Sequence, residues 1–202
     1  MAQKYDFFES STINFKYCPS LQLLMSDRLD AGGWVFWDQG NDRGPYEDVY
    51  SRTRREDWIR IVRFMVDQMT GSKQILDIGS GDGHSTRQIL ERLRRKNGGF
   101  LCDLLEPSEI ALKQSLEFLS GYPIGESFAT EVAKFQTERR YDAMFTVHSN
   151  YYWAKDEDSY NQCLDQLMAN LDTKGVLMVV TLPQDSDHYS VALIQRVPLV
   201  FD

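Results

Sequence analysis

The sequence predicts an α/β protein built on an open, mainly parallel sheet in the strand order 3-2-1-4-5, with helices on both faces. Three observations carry this. Between residues 56 and 182, short apolar runs of strand length alternate with stretches of helical periodicity. The first run feeds a glycine-rich turn and then a helix, Gln74 to Leu90, QILDIGSGDGHSTRQIL. The last run, Gly175 to Leu182 (GVLMVVTL), is apolar and rich in β-branched residues, the mark of a strand buried on both faces.

Each element has its own reason. Residues 1–50 are dense in aromatics, among them Phe7, Phe8, Trp34, Phe36 and Trp37, without strong periodicity; they read as a lid over the rest, and Leu21 to Leu29 reads as a short helix within it. Residues 51–202 read as the core. Glu56 to Met69 is a helix whose Trp58, Ile61, Val62, Met65 and Met69 share one face, and Thr70-Gly71-Ser72 stops it. Gln74 to Ile78 is the first strand, and the helix after the turn starts near Ser85. Phe100 to Leu105 is the second strand, interrupted only by Asp103. A helix over Ser108 to Leu119 follows, with Leu112, Leu116 and Leu119 on one side, and then a short strand over Ser127 to Thr130. Tyr141 to Val147 is the fourth strand, and Asp158 to Leu171 a helix burying Tyr160, Cys163, Leu164, Leu167, Met168 and Leu171. Tyr189 to Val200 has room for one more helix or strand, so the closing strands of such a sheet read as truncated.

Composition bounds the partners. The 202 residues suit one domain with an appendage, and 42% apolar with 26% charged residues is ordinary for a soluble globular chain. The formal net charge of −8 and the lack of a lysine- or arginine-rich block disfavour nucleic acid and suit a small or cationic substrate. Cys18, Cys102 and Cys163 are too few and too scattered for a metal site or a disulfide framework, so no metal is expected, and Cys102 and Cys163 read as small core residues. The first residues lack a signal-peptide pattern and no apolar run reaches about 18 residues, so a cytoplasmic protein without a membrane span is expected. The oligomeric state is not legible.

The chemistry concentrates at two strand ends. A strand entering a helix through a glycine-rich turn aims backbone N–H groups at a ligand. Here the turn carries Gly79, Ser80, Gly81 and Gly83, with Asp77 near the end of the strand, where its carboxylate can meet a positive or hydroxyl-bearing group. The alternative is a tight turn without a ligand. A dinucleotide site wants G-x-G-x-x-G, and the position of its third glycine is His84. Glu106 ends the second strand 23 residues after Gly83, where a carboxylate can accept from both ribose hydroxyls; this supports a nucleoside without choosing between a methyl donor and a dinucleotide. The order reversal between the first and fourth strands brings Gly79 to Gly83 and His148 to Trp153 to one crevice. His148 is placed to accept a proton, to orient a substrate nitrogen or simply to cap the strand, and Tyr151, Tyr152 and Trp153 could seat a cation or pack the lid.

The pattern D-x-G-x-G-x-G at Asp77 to Gly83 resembles the first motif of class I S-adenosylmethionine-dependent methyltransferases, whose sheet is Rossmann-like. LLEPS at Leu104 to Ser108, and the spacing of Asp142, His148, Tyr151 and Tyr152, resemble histamine N-methyltransferase-like small-molecule enzymes. The likeness covers roughly residues 73–182. It implies S-adenosyl-L-methionine as cofactor, S-adenosyl-L-homocysteine as product, and methyl transfer to a small molecule, with an amine nitrogen as the leaning. It implies that Asp77, Gly79, Ser80, Gly81, Gly83, Glu106, Pro107, Ser108, Val147 and His148 surround the cofactor, with Thr130 and Glu131 near the adenine edge, and that His148 and Tyr152 serve the acceptor. The competing expectation is a cofactor-binding module that lacks a complete substrate half and acts through a partner.

Overall fold

A computed structural model describes residues 52–181 and 190–195. The lid over residues 1–50, the Leu21 to Leu29 helix and Cys18 lie outside the described residues. The elements run α1 (Arg52–Gln68), β1 (Gln74–Ile78), α2 (His84–Leu93), β2 (Leu101–Leu105), α3 (Glu109–Phe118), β3 (Ile124–Phe128), β4 (Tyr141–Val147), α4 (Glu157–Asn170), β5 (Leu171–Thr181) and β6 (Ser190–Gln195). The sheet order is β3-β2-β1-β4-β5-β6. Strands β1 to β5 pair in parallel, as the alternation of strands and helices requires.

The sixth strand falls within Tyr189 to Val200, the stretch read as having room for one more helix or strand. It runs antiparallel to β5, with Val180 opposite Val191 and Leu177 opposite Ile194. Six residues are enough for a strand, so this stretch adds one antiparallel strand to the parallel five.

Two apolar clusters sandwich the sheet, and the period-2 alternation of the strands assigns residues to each. Ile75, Cys102, Leu104, Ala143, Phe145 and Met178 pack with Trp58, Met65, Ile89 and Leu112 from α1 to α3. Leu76, Ile78, Leu105, Met144, Leu177 and Val179 pack with Tyr160, Cys163, Leu164 and Leu167 of α4. Cys102 and Cys163 are both buried thiols within these clusters, as expected. In α3 the buried residues are Ala111, Leu112 and Ser115, while Leu116 is exposed. With 3.6 residues per turn, Ala111, Leu112, Ser115 and Leu119 fall on the buried side and Leu116 at its rim. The third strand starts and ends earlier than expected, at Ile124 and Phe128, because it is a sheet edge with an exposed centre and so lacks an apolar pattern.

Asp103, the polar break in β2, is fully buried and fully engaged. Its carboxylate accepts from Tyr141 Oη at 2.9 Å, from Arg139 Nη1 at 3.0 and 3.1 Å and from the Glu126 backbone N–H at 2.8 Å. Burial first, and then this carboxylate, push the Tyr141 hydroxyl well above the usual tyrosine range. A buried charge paired in this way ties β2, β3 and β4 together away from the carboxyl edge of the sheet. No described helix is long and apolar enough to cross a membrane.

Candidate cofactor and acceptor site

The turn after β1 is shaped by backbone that only glycine adopts cheaply. Gly79, Gly81 and Gly83 have φ of +74°, +54° and +85°. Gly79 also lies against the chain after β4: a Cβ built there would stand 2.3 Å from Ser149 Cβ and Oγ. Ser149 Oγ donates to the Ile78 carbonyl at 2.7 Å and meets Thr146 Oγ1 at 2.5 Å. The end of β4 is therefore clamped onto the end of β1, where the strand order reverses and α/β sheets hold their ligands. Gly83 opens α2, and its Cβ position is 2.8 Å from Ser115 Oγ of α3, so the turn is also wedged from behind.

Glu106 is buried just past β2. Its Oε2 accepts from the Gly81 N–H at 2.9 Å and its Oε1 from the Ser108 N–H at 3.0 Å. A carboxylate has about four acceptor positions, and these two N–H groups fix the orientation of this one. Ser108 spends its own hydroxyl on the cap of α3, accepting from the Ala111 N–H at 3.3 Å. Its backbone N–H also holds Glu106. Pro107 is half-buried between them.

Asp77 meets a hydroxyl group of the chain itself. It is 2% exposed and its Oδ2 accepts from Thr86 Oγ1 of α2 at 2.5 Å. Burial raises its carboxyl to about 7, the Thr86 hydroxyl opposes that rise, and the nearby Glu106 carboxylate adds to it. Ser80 is buried in the turn.

His148 follows β4 immediately, with φ of +57°, the left-handed region that non-glycine residues seldom adopt. Its backbone N–H donates to Val180 O of β5 at 2.9 Å and it is 8% exposed. This turn diverts the chain away from β4 into the short 3-10 segment Asn150–Tyr152. Val147 packs toward the α1–α3 side of the sheet. Tyr152 is half-buried. Trp153 belongs to the core: its ring stacks on Tyr160 of α4 at 5.6 Å between centroids, which removes it from the expected cation seat. Glu131 is exposed and pairs with Lys134 at 3.2 Å, and Thr130 beside it is half-buried beyond the end of β3. The structure thus gathers Gly79 to Gly83, Glu106 and His148 along one edge, with Asp77 and Ser108 as supports. The sequence reading missed Ser149 and Thr86; small hydroxyl residues carry no pattern that announces a clamp.

Comparison with known proteins bears on the fold. No protein-family model and no curated protein matches the chain. Among solved structures, the N-methyltransferase NodS from Bradyrhizobium japonicum WM9, in complex with S-adenosyl-L-homocysteine, is similar with a TM-score of 0.53 and 17% identity, over 80% of this chain and 72% of that one. The plantazolicin methyltransferase BpumL, with the same product bound, gives a TM-score of 0.56 and 18% identity over 83% of this chain. CalS10, an amino pentose methyltransferase from Micromonospora echinaspora, gives 0.52 and 18% over 68% of this chain. The chain spans 63% of BpumL and 56% of CalS10. These structures do not show the finer likeness to histamine N-methyltransferase-like enzymes. The chain therefore has the Rossmann-like α/β fold that these methyltransferases share.

Proposed function

We propose that this protein is an S-adenosylmethionine-dependent methyltransferase acting on a small-molecule acceptor, with an amine nitrogen as the nucleophile. The observation that carries the reading is Glu106, a buried carboxylate held by the Gly81 and Ser108 N–H groups at the edge of a left-handed glycine turn. That pairing suits a ribose diol beside a turn whose glycines admit a ligand close to the backbone. The similar structures support it, since NodS is described as an N-methyltransferase and CalS10 was solved with S-adenosylmethionine bound.

When bound, S-adenosylmethionine supplies a methyl group on a cationic sulfur that leaves as a neutral thioether when the acceptor's lone pair attacks in line. The chain's task is then alignment and exclusion of water more than acid–base work. Gly79, Ser80, Gly81 and Gly83 shape the cradle, Glu106 fixes the ribose, and Asp77 with Thr86 props the turn. Val147 and His148 border the methyl-transfer side at the end of β4. An amine acceptor gains positive charge as it attacks and must lose a proton, which a ring nitrogen of His148 takes, with Tyr152 orienting the acceptor. The alternative, a module that acts through a partner, was motivated by missing closing strands, of which the described residues supply one, β6; nothing in the similar structures supports it.

Calorimetric titration with S-adenosylmethionine, S-adenosylhomocysteine and NAD tests this. Binding of the first two and not the third is expected, and the reverse would overturn the reading. Glu106→Ala should weaken S-adenosylhomocysteine binding by about 1.5–3 kcal/mol, the worth of hydrogen bonds to a charged group. His148→Ala should leave that affinity intact and slow turnover by about 10²- to 10⁴-fold if the imidazole moves the proton.

A further inference from the structure

Some buried polar atoms without a hydrogen-bond partner lie elsewhere among the described residues, as at Gln74 and Ser115, but several stand at the carboxyl edge of the sheet. They include both ends of the Asn150 carboxamide, Thr181 Oγ1 and Ser80 Oγ. Asn150 is 1% exposed and Thr181 5%. Leaving such a group buried and unpaired costs about 1–3 kcal/mol, and Asn150 carries the cost at two atoms. Folded proteins keep few of these, and a site that awaits a ligand is one reason to keep them.

Their placement is specific. Val147 of β4 lies opposite Val180 of β5, and the His148 N–H bonds to the Val180 carbonyl. Thr181, the last residue of β5, comes directly after Val180, and Asn150 two residues after His148, so both stand at adjacent strand ends. Ser149, between His148 and Asn150, is clamped to Ile78 and Gly79. Because β4 runs between β1 and β5, the strand order sets Asn150 between the ends of those two strands.

We infer that Asn150 and Thr181 form a polar acceptor subsite that recognises a hydroxyl group next to the nucleophilic atom of the substrate. The inference rests on the methyltransferase reading above and names its substrate class, a hydroxyl-bearing amine. The two side chains are uncharged, and together they offer N–H and O–H donors and carbonyl and hydroxyl acceptors. A hydroxyl both donates and accepts, so one such group satisfies Asn150 Oδ1 and Nδ2 or Thr181 Oγ1 in turn. A bare alkylamine would leave them unpaired, and sites with unpaired polar groups reject such analogues strongly.

The test uses the full chain and the variants Asn150→Leu and Thr181→Val, which keep side-chain size and remove the polar atoms. Three quantities are measured: S-adenosylhomocysteine affinity, thermal unfolding, and calorimetric binding of D-glucosamine against cyclohexylamine in the presence of S-adenosylhomocysteine. Both probes are ring amines, and only the first carries hydroxyls. The expected result is cofactor-product affinity within about twofold of the parent, melting temperatures equal to or above it, glucosamine preferred by at least tenfold in the parent, and that preference lost in both variants. A fall in melting temperature of more than about 4 °C for Asn150→Leu would show that the carboxamide holds the fold and would overturn the inference. Absence of the preference in the parent, or its survival in the variants, would overturn it equally. Failure of S-adenosylhomocysteine to bind the parent chain would strike instead at the methyltransferase reading, while the melting temperatures still judge the subsite.

Discussion

Gly79→Ala probes the joint between the two halves of the site. The substitution has two separable costs. Alanine at φ +74° meets left-handed strain of about 1–2 kcal/mol. Its Cβ would also stand 2.3 Å from Ser149 Cβ and Oγ, an overlap that forces the chain after β4 off the turn and costs about 1–3 kcal/mol. The sum is about 2–5 kcal/mol, a large share of a typical domain stability of about 5–15 kcal/mol. Ser149→Gly removes the atoms that clash and leaves the strain. By itself it gives up the Ser149 hydroxyl bond to the Ile78 carbonyl, worth about 1 kcal/mol. Urea unfolding of the parent, both single variants and the double variant closes the cycle. The double variant should be more stable than the sum of the singles by about 1–3 kcal/mol. Additivity within about 0.5 kcal/mol would refute the clamp, because residues that do not touch add.

The other structural predictions concern buried charge. The folded-state value of Asp77, about 7, lies above the ordinary carboxylate range of the unfolded chain, so the native state holds a proton that the unfolded state has released. Stability from this group is greatest below about pH 4 and declines as pH rises toward 7, by as much as ~4 kcal/mol at 1.36 kcal/mol per pH unit. Asp77→Asn should flatten that slope in denaturant unfolding measured at pH 4, 5.5 and 7; an unchanged slope would refute the assignment. Tyr141→Phe removes one donor from the buried Asp103 carboxylate while Arg139 remains, and should cost about 1–2 kcal/mol in the same assay with no loss of S-adenosylhomocysteine affinity.

The most legible elements are those where local sequence and tertiary setting agree. Strands β1 and β4 have the bounds read from their apolar runs, since both lie in the middle of the sheet and need apolar residues on both faces. The edges were harder. β3 shows an exposed centre, and β6 pairs with β5 through backbone bonds that ask little of side-chain pattern. In α3, two leucines of equal hydrophobicity compete for burial, and only the position of the sheet beneath them decides for Leu112 over Leu116. Trp153 went to the core for the same kind of reason: Tyr160, seven residues on, offers it a stacking partner.

At the site the division is sharper. The chemical types are in the sequence: the glycines of the turn, a carboxylate at the end of the second strand, a histidine at the end of the fourth, and an order of strands that makes them neighbours. These follow from backbone sterics and chain topology, which are local or nearly so. The roles of the polar groups were decided by packing. Asp77 became a prop because Thr86 of α2 folds back over it, Ser108 became a cap, and Ser149 became a clamp because Gly79 leaves room for it. Hydrogen bonds and steric contacts between residues far apart in the chain have no linear signature, so which polar residue faces a ligand and which supports the one that does is settled only when the strands are side by side.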